Sequence, residues 1–250
     1  MEINNLINKM SFWRKFITFV PIIITSLPME PERFKKDDRP DNIINEPLAV
    51  YGAPVINLDP AKRYTYADYL TWADFKRREL IDGFARLMSA PITIHARISR
   101  NIFDGFWSFV KKRKGKCEVF YAPVDVRLPK NGETADDQIY TVVQPDICVV
   151  CDPSKIDAKG IIGAPDLVVE VQSPSTARLA LSKKFDLYEE AGVKEYWVVY
   201  PKAGLTVFLL QENGKFDGGT TYDIVYTPDA KVPVHTIEGL EIGLKELFEE

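Results

Sequence analysis

The chain has 250 residues, 46% of them hydrophobic and 27% charged, with a net charge of −4. This balance excludes a disordered or fibrous polypeptide and fits one globular domain with a tail. The mild acidity excludes a globally basic nucleic-acid footprint but leaves room for a local basic groove.

The N-terminus is unlike the rest. Lys9, Arg14 and Lys15 precede F-I-T-F-V-P-I-I-I-T-S-L, the shape of an n-region followed by an h-region. The apolar run is too short to span a bilayer, and no A-x-A-like cleavage site follows. Two readings stand: a real signal or anchor, or a spurious extension ahead of a true start at Met29. The second is preferred because the remainder reads as intracellular, so the expected location is cytoplasmic, with no membrane partner unless residues 1–28 are a real signal or anchor. Residues 29–60 mix prolines with charges of both signs and read as a loosely ordered arm. The expected organisation is an N-terminal extension over 1–60 and a single domain over 61–250.

From there the periodicity predicts elements in order. Tyr66, Tyr69, Leu70 and Ala73 step by three and four, a short helix. Two apolar runs flank Asp82-Gly83, a two-residue hairpin signal. Ile94, Ile98, Ile102, Phe106 and Phe109 mark a long amphipathic helix. Its basic end, Lys111 to Lys114 with Lys116, reads first as a complement to the helix dipole and second as a phosphate-contacting patch. Residues 117–128 and 142–151 are strand candidates, with loops over 129–140 and 152–164. Short strands are expected over 205–210, 222–226 and 234–237, then a hydrophobic segment over 240–248.

Three cysteines do not make a disulfide framework and fit a reducing compartment. Cys148 and Cys151 form a C-x-x-C inside an apolar run, where strand alternation points them to opposite faces. Two buried thiols are therefore expected there, alongside Cys117, rather than a redox pair or a zinc site.

The most informative stretch is 165–201. Leu167, Val169 and Val171 alternate with Val168, Glu170 and Gln172, the period of a strand. Ser173-Pro174 ends it, and Ser175 or Thr176 can cap a helix whose inward stripe runs 177, 181, 184, 188, 191. Gly192 stops that helix, and a second apolar strand over 196–200 completes a strand–helix–strand unit. On this spacing Lys184 lies on the buried stripe while Lys183 points away.

Nucleotide-binding glycine loops, a G-x-S-x-G elbow and H-E-x-x-H are absent. With only His95 and His235, a histidine-based triad or a His-rich metal site is not expected. What remains is carboxylate on strand. Asp146 and Glu170 each sit in an apolar run, where a charge is costly unless it is paired or bound to metal. If the strands are neighbours, both can hold one octahedral Mg²⁺, or Mn²⁺, that polarises a phosphodiester and activates water. Structural salt bridges are the competing account.

The residues P-D…E-V-Q-S-P-S-T…K-F…Y-E-E-A-G-V-K-E-Y-W-V-V-Y-P resemble the Uma family (Uma-two) of endonucleases within the PD-(D/E)XK restriction-endonuclease-like superfamily. The resemblance extends to R-E-L-I-D-G around Glu79, H-A-R-I at His95 and the E-G-L-E-I-G-L-K-E-L-F tail. It implies an α/β fold with an α-β-β-β-α-β core and a mixed central sheet, flanked by an N-terminal hairpin and C-terminal short strands. It also implies a Mg²⁺-dependent (or Mn²⁺-dependent) endonuclease acting on DNA. Asp146 and Glu170 would be metal ligands. Gln172 stands where the superfamily's usual lysine would be, and Lys184 on the following helix matches the displaced lysine. Glu79 and His95 match family motif positions as lesser site candidates. Ala180 and Tyr200 depart from positions where aspartate is common. A catalytically weak relative that binds nucleic acid or protein is the alternative, and a metalloenzyme acting on a small phosphoester is a third. Cutting both strands of a duplex, and the apolar strands after residue 203, favour a homodimer.

Overall fold

The computed structural model describes residues 56–172 and 177–249, with the backbone alone for 177–182. The readings for residues 1–28, most of the arm, the strand stop at Ser173-Pro174, the cap at Ser175 or Thr176 and the side chain of Ala180 lie outside the described residues.

Helix α1 (Tyr66–Tyr69) is opened by a capping box in which Thr65 and Asp68 satisfy each other's backbone N–H. It is shorter than the spacing predicts: Leu70 is already the C-cap and is half exposed, so only Tyr66 anchors the turn. Strands β1 (Arg78–Ile81) and β2 (Phe84–Leu87) form the expected hairpin. Asp82 and Gly83 take φ of 52° and 86°, the left-handed pair that a two-residue turn requires. Helix α2 (Thr93–Arg113) buries Ile98, Ile102 and Phe106, the predicted stripe. At its basic end Arg113 Nη1 donates to Glu238 O at 2.6 Å, and Lys111 lies over the Trp107 ring.

The two long strand candidates each break in the middle. Residues 117–128 give β3 (Glu118–Tyr121) and β4 (Val126–Arg127), and 142–151 give β5 (Val142–Val143) and β6 (Ile147–Val150). The breaks fall at Pro123 and Pro145, residues with no N–H to give a ladder. The halves enter different sheets. Strands β4 and β5 join the hairpin and two short strands, β7 (Ile156–Asp157) and β8 (Gly160–Ile162), in a sheet ordered β2-β1-β5-β4-β8-β7, whereas β3 and β6 join the central sheet. Strands β7 and β8 fill what the sequence suggests is loop, because two or three residues are too few to show a period.

Strand β9 (Leu167–Val171), helix α3 (Ala177–Ala191) and strand β10 (Glu195–Tyr200) form the strand–helix–strand unit, with β9 and β10 parallel. Strands β11 (Gly204–Leu209) and β12 (Thr220–Asp223) extend the sheet to β12-β11-β10-β9-β6-β3, in which β9–β10 is the one parallel pair. The core order α2-β3-β6-β9-α3-β10 is the expected one, and the sheet is mixed.

Alternation assigns the core. Leu167, Val169, Val171, Trp197 and Val199 pack with α2, while Val168, Tyr196 and Val198 pack with Leu187 and Tyr188 of α3. The α2 side is closed by the hairpin β13 (Lys231–Val234) and β14 (Leu240–Gly243) with helix α4 (Leu244–Phe248). Thus β12 and β13 begin two to three residues before their predicted positions, and the 240–248 segment divides into strand and helix.

One cysteine expectation is overturned. Cys117 and Cys151 are joined by a disulfide, and only Cys148 is a free, buried thiol. The register Glu118↔Val150, carried one step outward, sets the two cysteines opposite each other. That register is invisible before the fold is known. The opposite-face expectation for Cys148 and Cys151 holds: they belong to different core clusters.

Candidate active site

Asp146 immediately precedes β6. The antiparallel pairing Ile147↔Val169, continued one step, sets Asp146 opposite Glu170. Directly opposed residues of an antiparallel pair share a face. Asp146 Oδ2 accepts the Val171 N–H at 2.8 Å, which pins the carboxylate at the end of the strand. His95, from the first turn of α2, places Nε2 3.1 Å from the same oxygen.

Glu170 faces α3 and is buried. Its Oε1 accepts from Lys184 Nζ at 2.8 Å and from the Tyr188 hydroxyl at 2.7 Å. Lys184 Nζ also donates to Glu79 Oε1 at 2.9 Å, so one ammonium bridges two carboxylates. Glu79 comes from β1 of the other sheet, and its Oε1 also accepts the Gln144 N–H at 3.0 Å. Lys183 is exposed, as the helical spacing predicts. Gln172 follows β9, donates its backbone N–H to Val199 O at 2.8 Å and is half-buried.

Glu79 and Glu170 therefore share one lysine, and the Asp146 carboxylate, held by Val171 and His95, acts on Glu170 from the other side. Lys184 is raised above its ordinary value: burial opposes its charge, but Glu170 and Glu79 outweigh burial. Glu170 does not shift as the other half of a simple ion pair would. It is pushed up to about 7, first by burial and then by Asp146 and Glu79, against the pull of Lys184. The geometry supports the upward direction, since Glu170 shares the Lys184 ammonium with Glu79 and lies beside the Asp146 carboxylate. His95 is also raised: burial works against protonation, and the Asp146 carboxylate outweighs it, helped by Glu170.

Uncompensated negative charge beside hard oxygen donors suits a divalent cation. The hydrogen bonds named above use Asp146 Oδ2 and Glu170 Oε1, which leaves Asp146 Oδ1 and Glu170 Oε2 as the ligand atoms on offer. Among the described residues no group of three or more His, Cys, Asp or Glu side chains is placed to hold an ion. A site with two protein carboxylates, completed by water and substrate oxygens, is the mode Mg²⁺ commonly takes, so the donor set fits.

The family described as "Putative restriction endonuclease", Uma2, matches residues 66–244. The chain belongs to the Uma2 family. An uncharacterised protein of Synechocystis sp. is 27% identical over 191 residues, covering 76% of this chain and 93% of that protein. A crystal structure described as a putative nuclease belonging to DUF820, from Anabaena variabilis, superposes with a TM-score of 0.58 at 23% identity, covering 74% of this chain and 97% of that one. This likeness establishes the restriction-endonuclease-like fold. No helix among the described residues is long and apolar enough to cross a membrane.

Within this Uma2 chain, Asp146, Glu170, Lys184, Glu79 and His95 come together as one connected cluster. Among the described residues, Gln172 is not one of the partners in this cluster; its backbone N–H is bonded to Val199 O. Two participants escape sequence reasoning. Tyr188 reads there only as an apolar stripe residue, yet its hydroxyl holds Glu170. Gln144 reads only as the residue ahead of Pro145-Asp146. A Tyr one helical turn after the Lys, on the same stripe, is the signal that could have found the first.

Proposed function

We propose that this chain is a metal-dependent endonuclease that hydrolyses phosphodiester bonds of DNA, with Mg²⁺ (or Mn²⁺) held by Asp146 and Glu170. The observation that carries the reading is Asp146 and Glu170 paired across β6 and β9, with Lys184 on Glu170. A bound cation would polarise the scissile phosphate and lower the pKa of a water nucleophile. The protein side chains do the rest. The Val171 N–H and His95 hold Asp146, and Tyr188 holds Glu170, so both ligands are fixed before substrate arrives. Lys184 supplies the positive charge that faces the phosphate or orients the attacking water, the work of the strand lysine whose place Gln172 occupies. Glu79 keeps Lys184 charged and aimed. The assembly is a homodimer whose two sites cut both strands; a monomer mass in light scattering at micromolar concentration would remove the dimer.

The test is incubation with supercoiled, linear and single-stranded DNA in Mg²⁺, Mn²⁺ or EDTA. Metal-dependent cleavage that disappears in Asp146→Ala and in Glu170→Ala supports the reading; cleavage that survives both removes it. One observation favours a second reading. Lys184 already closes ion pairs with Glu79 and Glu170, which is what a catalytically weak binding module would also need. Carboxylate-dependent Mn²⁺ binding without cleavage of any DNA form selects that reading.

A further inference from the structure

Gln144 occupies the point where the chain leaves one sheet and enters the other, between β5 and β6. It is buried, at 6% exposure, and every polar group of its side chain is engaged. Arg77 Nε donates to its Oε1 at 3.0 Å. Its Nε2 donates to Asp125 Oδ1 at 2.8 Å and to the Tyr69 hydroxyl at 3.2 Å. A guanidinium can only donate and a carboxylate accepts, so these partners fix which end of the amide faces which way. The backbone N–H of the same residue holds Glu79. Pro145 has no N–H, so this is the last backbone donor ahead of Asp146.

Two of the three site carboxylates thus depend on the placement of one residue whose own side chain is engaged by Arg77, Tyr69 and Asp125. Glu79 depends on it by hydrogen bond and Asp146 by covalent connection through a proline. The grip comes from α1, from the segment just ahead of β1 and from the link between β3 and β4, all outside the strand–helix–strand unit that carries Glu170 and Lys184.

We propose that Gln144 is a positioning residue of the site: its side-chain amide, clamped by Arg77, Tyr69 and Asp125, sets the backbone that aims Glu79 and Asp146 at Lys184 and Glu170. The kinetic part rests on the nuclease reading above; the backbone part does not.

The experiment compares Gln144→Leu, Gln144→Glu and the double variant Gln144→Glu with Asp125→Asn. Gln144→Leu is expected to lower kcat by roughly 10- to 100-fold, the range found for residues that orient ligands from behind, with KM for DNA little changed. Gln144→Glu sets two carboxylates against each other and is expected to lose as much. The double variant exchanges acceptor and donor across the pair and is expected to recover most of the kcat. In parallel, hydrogen exchange at the residue 144 amide, the proton bonded to Glu79, is expected to speed up in Gln144→Leu and to return toward wild type in the double variant. A wild-type kcat in Gln144→Leu, or a double variant no better than Gln144→Glu, overturns the proposal. If the unaltered chain cleaves no DNA, the nuclease reading fails and the exchange rates decide alone: unchanged protection in Gln144→Leu overturns the positioning role.

Discussion

Two glutamates of the central strand–helix–strand unit are buried to a similar degree and have opposite characters. Glu195 opens β10 at 1% exposure. Its Oε1 takes the Trp197 indole N–H at 2.8 Å and its Oε2 the Thr236 backbone N–H at 2.6 Å. Both oxygens meet neutral donors, and the side chain ties the sheet to the turn after β13. Glu170, in the neighbouring strand opposite Val198, faces the other side of the sheet. It meets Lys184 and Tyr188, and it shares its surroundings with Asp146 and Glu79. Burial of a carboxylate in an apolar strand is therefore no mark of function here. The mark is like charge gathered beyond what local donors neutralise, a state that folding alone would not favour.

Removing each glutamate breaks this comparison most sharply. Glu170→Ala, like Asp146→Ala, is expected to reduce DNA cleavage by at least about a thousandfold, the upper range for losing a group that acts on the transition state. The fold should survive in both, by circular dichroism. Glu195→Ala leaves an indole N–H and a backbone N–H unsatisfied in the interior, at a cost of about 1–3 kcal/mol in urea unfolding. Its kcat should stay at the wild-type value. Lost stability without lost cleavage at Glu195, and the reverse at Glu170, is the expected split; matching losses at both positions would erase the distinction.

The next contrast is along α3. Lys184→Met should lower kcat about a hundredfold while Mn²⁺ affinity changes little, because it removes a positive charge and no ligand atom. Lys183→Met, one residue away on the exposed side, should leave kcat unchanged. Equal losses in the two would take Lys184 out of the machinery.

Much of this was legible in the residues. The alternation around Glu170 and the stripe through Lys184 are local periods, so they survive without knowledge of tertiary structure. Glu79 and His95 were visible only through resemblance to a family, because their approach to the site depends on the β1–β5 pairing and on where α2 begins. Gln144, Tyr188 and the Cys117–Cys151 bridge were hidden for the same reason: each is defined by a partner 18 to 75 residues distant in sequence. The divided strands were hidden for another. Pro123 and Pro145 were in plain view, but a proline signals only that a ladder stops, not that the chain resumes in a second sheet.

A smaller effect at Glu170 is its pH dependence. Glu170 is raised from an ordinary 4.5 to about 7 in the metal-free fold. The folded state therefore binds this proton more tightly than the unfolded chain. The associated stability is full below pH 4.5 and is lost as pH rises through 7. Urea unfolding of metal-free protein from pH 4.5 to 7.5 should show this fall, and Glu170→Gln should flatten it. A cation held by Glu170, as proposed above, would favour the carboxylate, so calorimetric titration with Mn²⁺ near pH 6.5 should release protons to buffer in the wild type and fewer in Glu170→Gln.

The smallest expected effect is at His95. Its Nε2 stands on the Asp146 oxygen that already accepts the Val171 N–H, so the imidazole is a second hold on a carboxylate that has another. Losing one of two holds should cost less than losing the only one. His95→Ala is expected to lower kcat by less than about tenfold, below the usual range for a general acid or base. The pH dependence carries the sharper reading. Because His95 is raised above its ordinary 6.5, its contribution to stability is present below that pH and is lost as pH climbs through the folded value. That fall overlaps the one from Glu170 but should vanish in His95→Gln, whose amide can still donate to Asp146 and does not titrate. A His95→Gln variant that keeps cleavage within a few-fold and flattens only this part of the pH curve marks His95 as an orienting group. A loss of a hundredfold or more in His95→Gln would instead make the imidazole a proton-transfer group, and would place chemistry on α2 as well as on the sheet.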